Sequence, residues 1–153
     1  MIDDIETFLV HAITLERDAA RRYEDLAQVM RTAGNDEVRK LFERMAHFSR
    51  LHLNEAMERG GFRDLPTLAP ADFRWPGGES PEAASWHGID GLIDVPAALE
   101  IALEGERAGT AFYEGVAETA RDPEVVRMAR EFASEEAGHV CELQRWIAHL
   151  TAV

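Results

Sequence analysis

Residues 60–94 read GGFRDLPTLAPADFRWPGGESPEAASWHGIDGLID, a 35-residue stretch that holds four of the chain's six prolines and six of its eleven glycines. Residues of these two types punctuate a chain, so no long helix passes through this stretch. ESPEAAS suits a single helical turn, with Ser80 as cap and Pro81 at the first helical position. On either side the pattern is different. Ile5, Leu9, Ala12, Ile13, Ala19, Ala20, Tyr23, Ala27 and Met30 recur at helical spacing and predict a helix over about residues 4–32. The glycine of TAGNDEV stops it, and Asn35 or Asp36 caps a second helix over about 36–59 that ends at Gly60-Gly61. After the link, a third helix follows Pro96 to about 120. Asp122 as cap and Pro123 at the first position then open a fourth over about 123–150.

The length of the link selects the topology. Two short loops make each helix pair antiparallel, and a simple up-down-up-down bundle would join the pairs by a third short loop. The sequence instead repeats itself. ERDAARRYE (16–24) and ERAGTAFYE (106–114) share Glu, Arg and the Tyr-Glu pair at an offset of 90, and MAHFSRLHLNE (45–55) aligns with FASEEAGHVCE (132–142) at an offset of 87. If a twofold relates the halves, the second and third helices run parallel. The chain must then travel back along the bundle, ~33 Å for a helix of ~22 residues. The expected architecture is one all-α domain, residues 1–153, with a long crossover at about 60–95.

The repeated positions carry chemistry. Glu136 and His139 lie three apart, on one face of a helix, and His52 is the repeat mate of His139. Glu16 and Glu106, also mates, sit where the apolar stripe predicts burial. A buried carboxylate is costly without a cation or a proton. Two glutamates and two histidines meeting with Glu136 inside a bundle form a cage suited to iron, manganese or zinc. Tyr23 and Tyr113 follow the two glutamates by seven residues, placed either to hydrogen-bond a ligand carboxylate, to supply an electron, or simply to pack.

Composition excludes several other classes. A net charge of -13 repels nucleic-acid phosphates and anionic lipid. The single cysteine, Cys141, leaves no internal disulfide and no four-cysteine iron or zinc site, and points to a reducing compartment. MIDDIETFLV opens with acids where a secretory signal carries basic residues, and no apolar run reaches the ~20 residues of a membrane span. These features predict a soluble, cytoplasmic protein with neither nucleic acid nor membrane as partner.

Taken together, the sequence resembles the ferritin-like superfamily and, within it, the rubrerythrin-like proteins. The resemblance runs over essentially the whole chain: Glu16 with Tyr23, His52, the long crossover, Glu106, and Glu136 with His139. It implies a ferritin-like four-helix bundle with a non-haem metal centre, most simply two irons, with one ion as the competing outcome. Such a centre reduces peroxide or oxygen or oxidises ferrous iron. The other readings are a metal-binding or iron-handling module without turnover, and a structural bundle with a degenerate site. By the resemblance, Glu16 and Glu106 are terminal ligands, His52 and His139 each bind one metal, and Glu136 bridges.

Three departures accompany it. The partner of Glu136 on the second helix would be a glutamate at 49, and this chain has Ser49. Four carboxylates neutralise two ferrous ions, whereas three leave one positive charge for two metals or one negative charge for one. Ser49 therefore stands with Tyr23 and Tyr113 behind the ligands. Gly109 occupies the position of an additional family glutamate one turn after Glu106. The cysteine count leaves no rubredoxin-type iron site, so electrons would come from a separate donor. His47 faces away from position 49, and Glu55 and its mate Glu142 stand at best behind the ligands. Relatives of this type dimerise, and Phe73, Trp75 and Trp86 in the crossover offer apolar surface for a homodimer. Trp75, Trp86 and Trp146 are also read as packing residues. IDDIE and ASEE are read as solvated or helix-start charge, and His11, His87 and His149 receive no role.

Overall fold

The computed structural model describes residues 2–61, 64–84 and 93–151. Helix α1 spans Ile5–Ala33 and α2 Asp36–Gly60; a 3-10 turn at Pro70–Asp72 and a four-residue helix, α3, at Pro81–Ala84 interrupt the crossover; α4 spans Val95–Thr119 and α5 Pro123–Thr151. Local chemistry sets the ends. The Asp4 carboxylate accepts from Thr7 N–H, Asn35 from Val38 N–H, Asp94 from Ala97 N–H and Asp122 from Glu124 N–H, so each long helix has a side chain on its first free amides. Gly34 closes α1 in the left-handed conformation at φ 77°, which costs a glycine nothing.

The apolar side chains form two clusters. One joins Phe8, Leu9 and Leu15 of α1 to Ala56 of α2, Phe112 and Val116 of α4, and Val125, Met128 and Phe132 of α5. The other joins Leu26 and Met30 of α1 to Phe42 and Met45 of α2, Leu99 and Leu103 of α4, and Leu143 of α5. The early part of α1 thus lies with the late part of α2, the late part of α4 and the early part of α5. α2 and α4 therefore run parallel, and the crossover must return the chain along the bundle. This is the ferritin-like arrangement expected from the link and the repeat. No helix among the described residues is long and apolar enough to cross a membrane.

A buried histidine fastens the crossover. His11 Nδ1 lies 2.9 Å from the Thr7 carbonyl, and His11 Nε2 is 2.8 Å from the Arg74 amide. A carbonyl only accepts and an amide only donates, so the ring is neutral with its proton on Nδ1. Burial lowers its pKa and keeps it so. Phe73 and Trp75 meet its ring edge-on, with Trp75 4.9 Å from the Phe112 ring. The apolar faces expected to serve a homodimer are thus partly turned onto His11 and Phe112: Phe73 and Trp75 are half-buried packing residues of the crossover. Trp86 and His87 lie outside the described residues. Trp146 packs partly buried against the second cluster, and His149 is exposed.

Candidate metal centre

Between the two apolar clusters, every long helix contributes polar side chains at the same level: Glu16 from α1, Ser49 and His52 from α2, Glu106 from α4, and Glu136 and His139 from α5. Glu16, Ser49, Glu106 and Glu136 are at most 2% exposed. Two triads result, in each of which one ligand-type atom per residue lies within 4.8 Å of the others: Glu16, His52 and Glu136, and Glu106, Glu136 and His139. Glu136 belongs to both. His52 Nδ1 is 3.8 Å from Glu16 Oε2 and 3.8 Å from Glu136 Oε1, and His139 Nδ1 is 3.6 Å from Glu106 Oε2 and 3.9 Å from Glu136 Oε2.

The tyrosines cross between the halves. Tyr23 of α1 donates to Glu106 Oε1 of α4 at 2.5 Å, and Tyr113 of α4 donates to Glu16 Oε1 of α1 at 3.1 Å. Burial, reinforced by the adjacent carboxylates, holds both phenols well above their ordinary pKa, so they keep the protons they donate. Each glutamate is thereby fixed by one oxygen while its Oε2 points at a histidine. Glu16 Oε2, Glu106 Oε2 and His139 Nδ1 are buried without a hydrogen-bond partner among the described residues. Orphaned acceptors of this kind are costly, and a cation relieves them together. The donor set, carboxylate oxygen with imidazole nitrogen, suits iron, manganese or zinc.

The protonation states agree with a cation site. Burial, followed among the raising effects by the Glu106 carboxylate, pushes Glu16 up to about 7. Burial and then Glu106 and Glu16 raise Glu136 well above the usual range. Burial acts upward on Glu106 too, yet Glu136, His139 and Arg22 together hold it down, to about 2. Burial, then His139, lowers His52 to about 4, so its ring is neutral and able to coordinate.

Three residues outside the expected set adjoin the layer. Glu135, read from sequence as solvated charge, has Oε2 3.2 Å from His52 Nε2, on the ring edge away from the triad. Arg22 and Glu82 are fully buried and ion-paired at 2.8 Å, with Arg22 Nη2 3.6 Å from Glu106 Oε1 and the guanidinium over the Tyr23 ring. Glycines in α4 make their room. A Cβ at Gly105 would stand 1.7 Å from Arg22 Nη1 and 2.9 Å from Glu82 Oε2. Glu142 instead pairs with Arg44 and Glu55 with Arg59, and His47 is exposed.

Gly105→Ala should accordingly be costly. Displacing a buried paired charge costs roughly 3–5 kcal/mol, against which the ~1 kcal/mol that alanine gains over glycine in a helix is small. Gly115→Ala, whose Cβ would meet nothing within 4 Å, should be neutral or stabilising. Urea midpoints of the two variants check the pair; equal midpoints would show that the Arg22 cradle does not constrain α4.

A crossover-linked four-helix bundle whose two halves each bring a glutamate, a tyrosine and a histidine to a shared buried carboxylate is a ferritin-like carboxylate protein. The chain belongs to the rubrerythrin-like members of that superfamily. Residues 7–60, covering most of α1 and all of α2 with Glu16 and His52, match the family model described as Rubrerythrin. An uncharacterized conserved protein from Magnetospirillum magnetotacticum, known from a crystal structure, is 36% identical with a TM-score of 0.74, over 93% of this chain and 92% of that one. Among curated proteins, no match to the chain is found.

Proposed function

We propose that the protein is a non-haem di-iron protein that reacts with peroxide or oxygen. The observation that supports this best is the double membership of Glu136, which gives each of two adjacent positions one terminal glutamate, one histidine and half of a shared carboxylate. Glu16, His52 and Glu136 would hold one ion, and Glu106, His139 and Glu136 the other. Two ferrous ions would supply the two electrons that reduction of one peroxide to two waters consumes, with two protons taken up.

The chain's own residues prepare this centre. Tyr23 and Tyr113 fix the outer oxygens of Glu106 and Glu16 and so aim the inner ones. Glu135 stands at the outer edge of His52, 3.2 Å from its Nε2. The apolar clusters on both sides keep bulk water out, which strengthens every charge interaction within the layer. With Ser49 in place of a carboxylate, five ligands serve two ions, and coordination positions stay open for a small oxygen species. Electrons would return from a separate donor protein.

Anaerobic loading with ferrous iron tests the reading. Two ions per chain are expected, with complete oxidation by one peroxide per pair, followed by ferric absorbance. Iron that binds but stays ferrous would favour a storage or handling module; a chain that retains no iron would end the proposal.

A further inference from the structure

The crossover delivers a carboxylate to the place where α4 has none. Glu82 follows Pro81 in α3, and its side chain is fully buried. A Cβ at Gly109 would lie 3.4 Å from Glu82 Oε1 and 3.8 Å from Glu136 Oε2. One empty point, the missing Cβ of Gly109, is therefore flanked by the shared carboxylate of the two triads and by Glu82. Gly105, one turn earlier, clears the space for the Arg22 guanidinium that holds Glu82 Oε2 at 2.8 Å. Two glycines four apart inside a helix cost about 1 kcal/mol each relative to alanine. Here both face the same inserted pair, which gives that cost a reason.

Glu82 is held inside the bundle by its ion pair with the equally buried Arg22. Its position is informative because of what else Arg22 touches: the same guanidinium lies 3.6 Å from Glu106 Oε1. Arg22 thus spans Glu82 and a residue of the second triad, while Glu82 Oε1 faces the space beside Glu136. The three carboxylates of the triads leave two divalent ions with one positive charge uncompensated. The fourth carboxylate at this level comes from the short helix α3 of the crossover, not from one of the four long helices.

We propose that Glu82 is a further metal-binding carboxylate of the centre, carried in by the crossover and reaching it through the space that Gly109 leaves beside Glu136. Arg22 is its positioning residue. The inference rests on the di-iron reading given above, and concerns how the ion pair is completed.

The test uses the full chain, with cobalt(II) as an oxygen-stable probe, and reads stoichiometry, affinity and the visible cobalt spectrum. Glu82→Gln keeps the volume and removes the charge. Gly109→Ala keeps the Glu82–Arg22 pair and adds only contacts of 3.4 Å and longer, while filling the space through which Glu82 must reach. Both variants should bind the weaker ion at least about tenfold less tightly, the lower end of the loss seen when partners of a metal site are removed. Both should also change the cobalt spectrum in the same sense. Glu82→Asp should recover part of the affinity. Normal binding by Gly109→Ala beside weak binding by Glu82→Gln would overturn the proposal, since Glu82 would then act only by neutralising Arg22. Unchanged binding in both would also overturn it, while leaving a two-ion centre standing. A parent chain that takes up no cobalt and no iron would remove the di-iron reading as well. If Glu82→Gln does not fold, Gly109→Ala decides alone.

Discussion

Glu136→Ala is expected to strip the protein of both ions, although no other single glutamate of the layer should do so. Glu136 is the residue shared by the two triads, with Oε1 facing His52 and Oε2 facing His139 at 3.8 and 3.9 Å. Removing it leaves each position with one glutamate and one histidine, too few to displace the water around a divalent ion. The loss should exceed the roughly 10–100-fold that removing an outer partner costs. Glu106→Ala with His139→Ala, by contrast, dismantles one triad and spares Glu16, His52 and Glu136, so one ion per chain should remain. Elemental analysis after iron loading and gel filtration distinguishes the patterns. If Glu136→Ala keeps the parent's metal content with its fold intact, the ions do not bind between the triads.

The parts of this centre that were legible in the sequence share a cause. Helical periodicity, turn residues and the 60–94 link specify how the four long helices run, because each is a local consequence of residue type. Once the halves are known to repeat, Glu16 with Glu106 and His52 with His139 fall on matching faces, and the structure brings all four to Glu136. Contacts that depend on tertiary placement were not legible. The tyrosines sit on the same helices as the glutamates they follow, yet each bonds the glutamate of the other half. Glu135 neighbours Glu136 in sequence and gave no sign that it would reach the far edge of His52. Glu82 received no reading from sequence, since nothing periodic in a crossover tells which side chain enters the bundle. One signal did exist. Gly105 and Gly109 are four apart in the middle of a helix where alanine would serve better, and such a pair asks what occupies the space beside it. Arg22 and Glu82 are the answer.

The metal-free protein should lose stability as pH rises from about 6.5 to 8, and bound metal should suppress that loss. Burial raises Glu16 to about 7 and Glu136 well above the ordinary range near 4.5. Over this window the folded chain holds protons that the unfolded chain has already released, so stability falls with increasing pH. The raised His139 works in the same direction. His52, lowered to about 4, works in the opposite one, but its effect fades at the lower edge of the window as the unfolded histidine finishes titrating above 6.5. The loss is of order 2 kcal/mol, at 1.36 kcal/mol per pKa unit, or about 4–8 °C in Tm for a chain of this size. Metal takes the place of the protons; at a thousand times Kd it adds ~4 kcal/mol, or roughly 8–16 °C. The gap between loaded and metal-free melting curves should therefore widen from pH 6.5 to 8. Glu136→Gln separates the two effects. It resembles the protonated carboxyl, so the metal-free variant should melt above the metal-free parent at pH 8, while gaining nothing from metal. A metal-free Tm that is flat or rising across the window would mean that the buried carboxyls of this layer do not keep their protons in the folded chain.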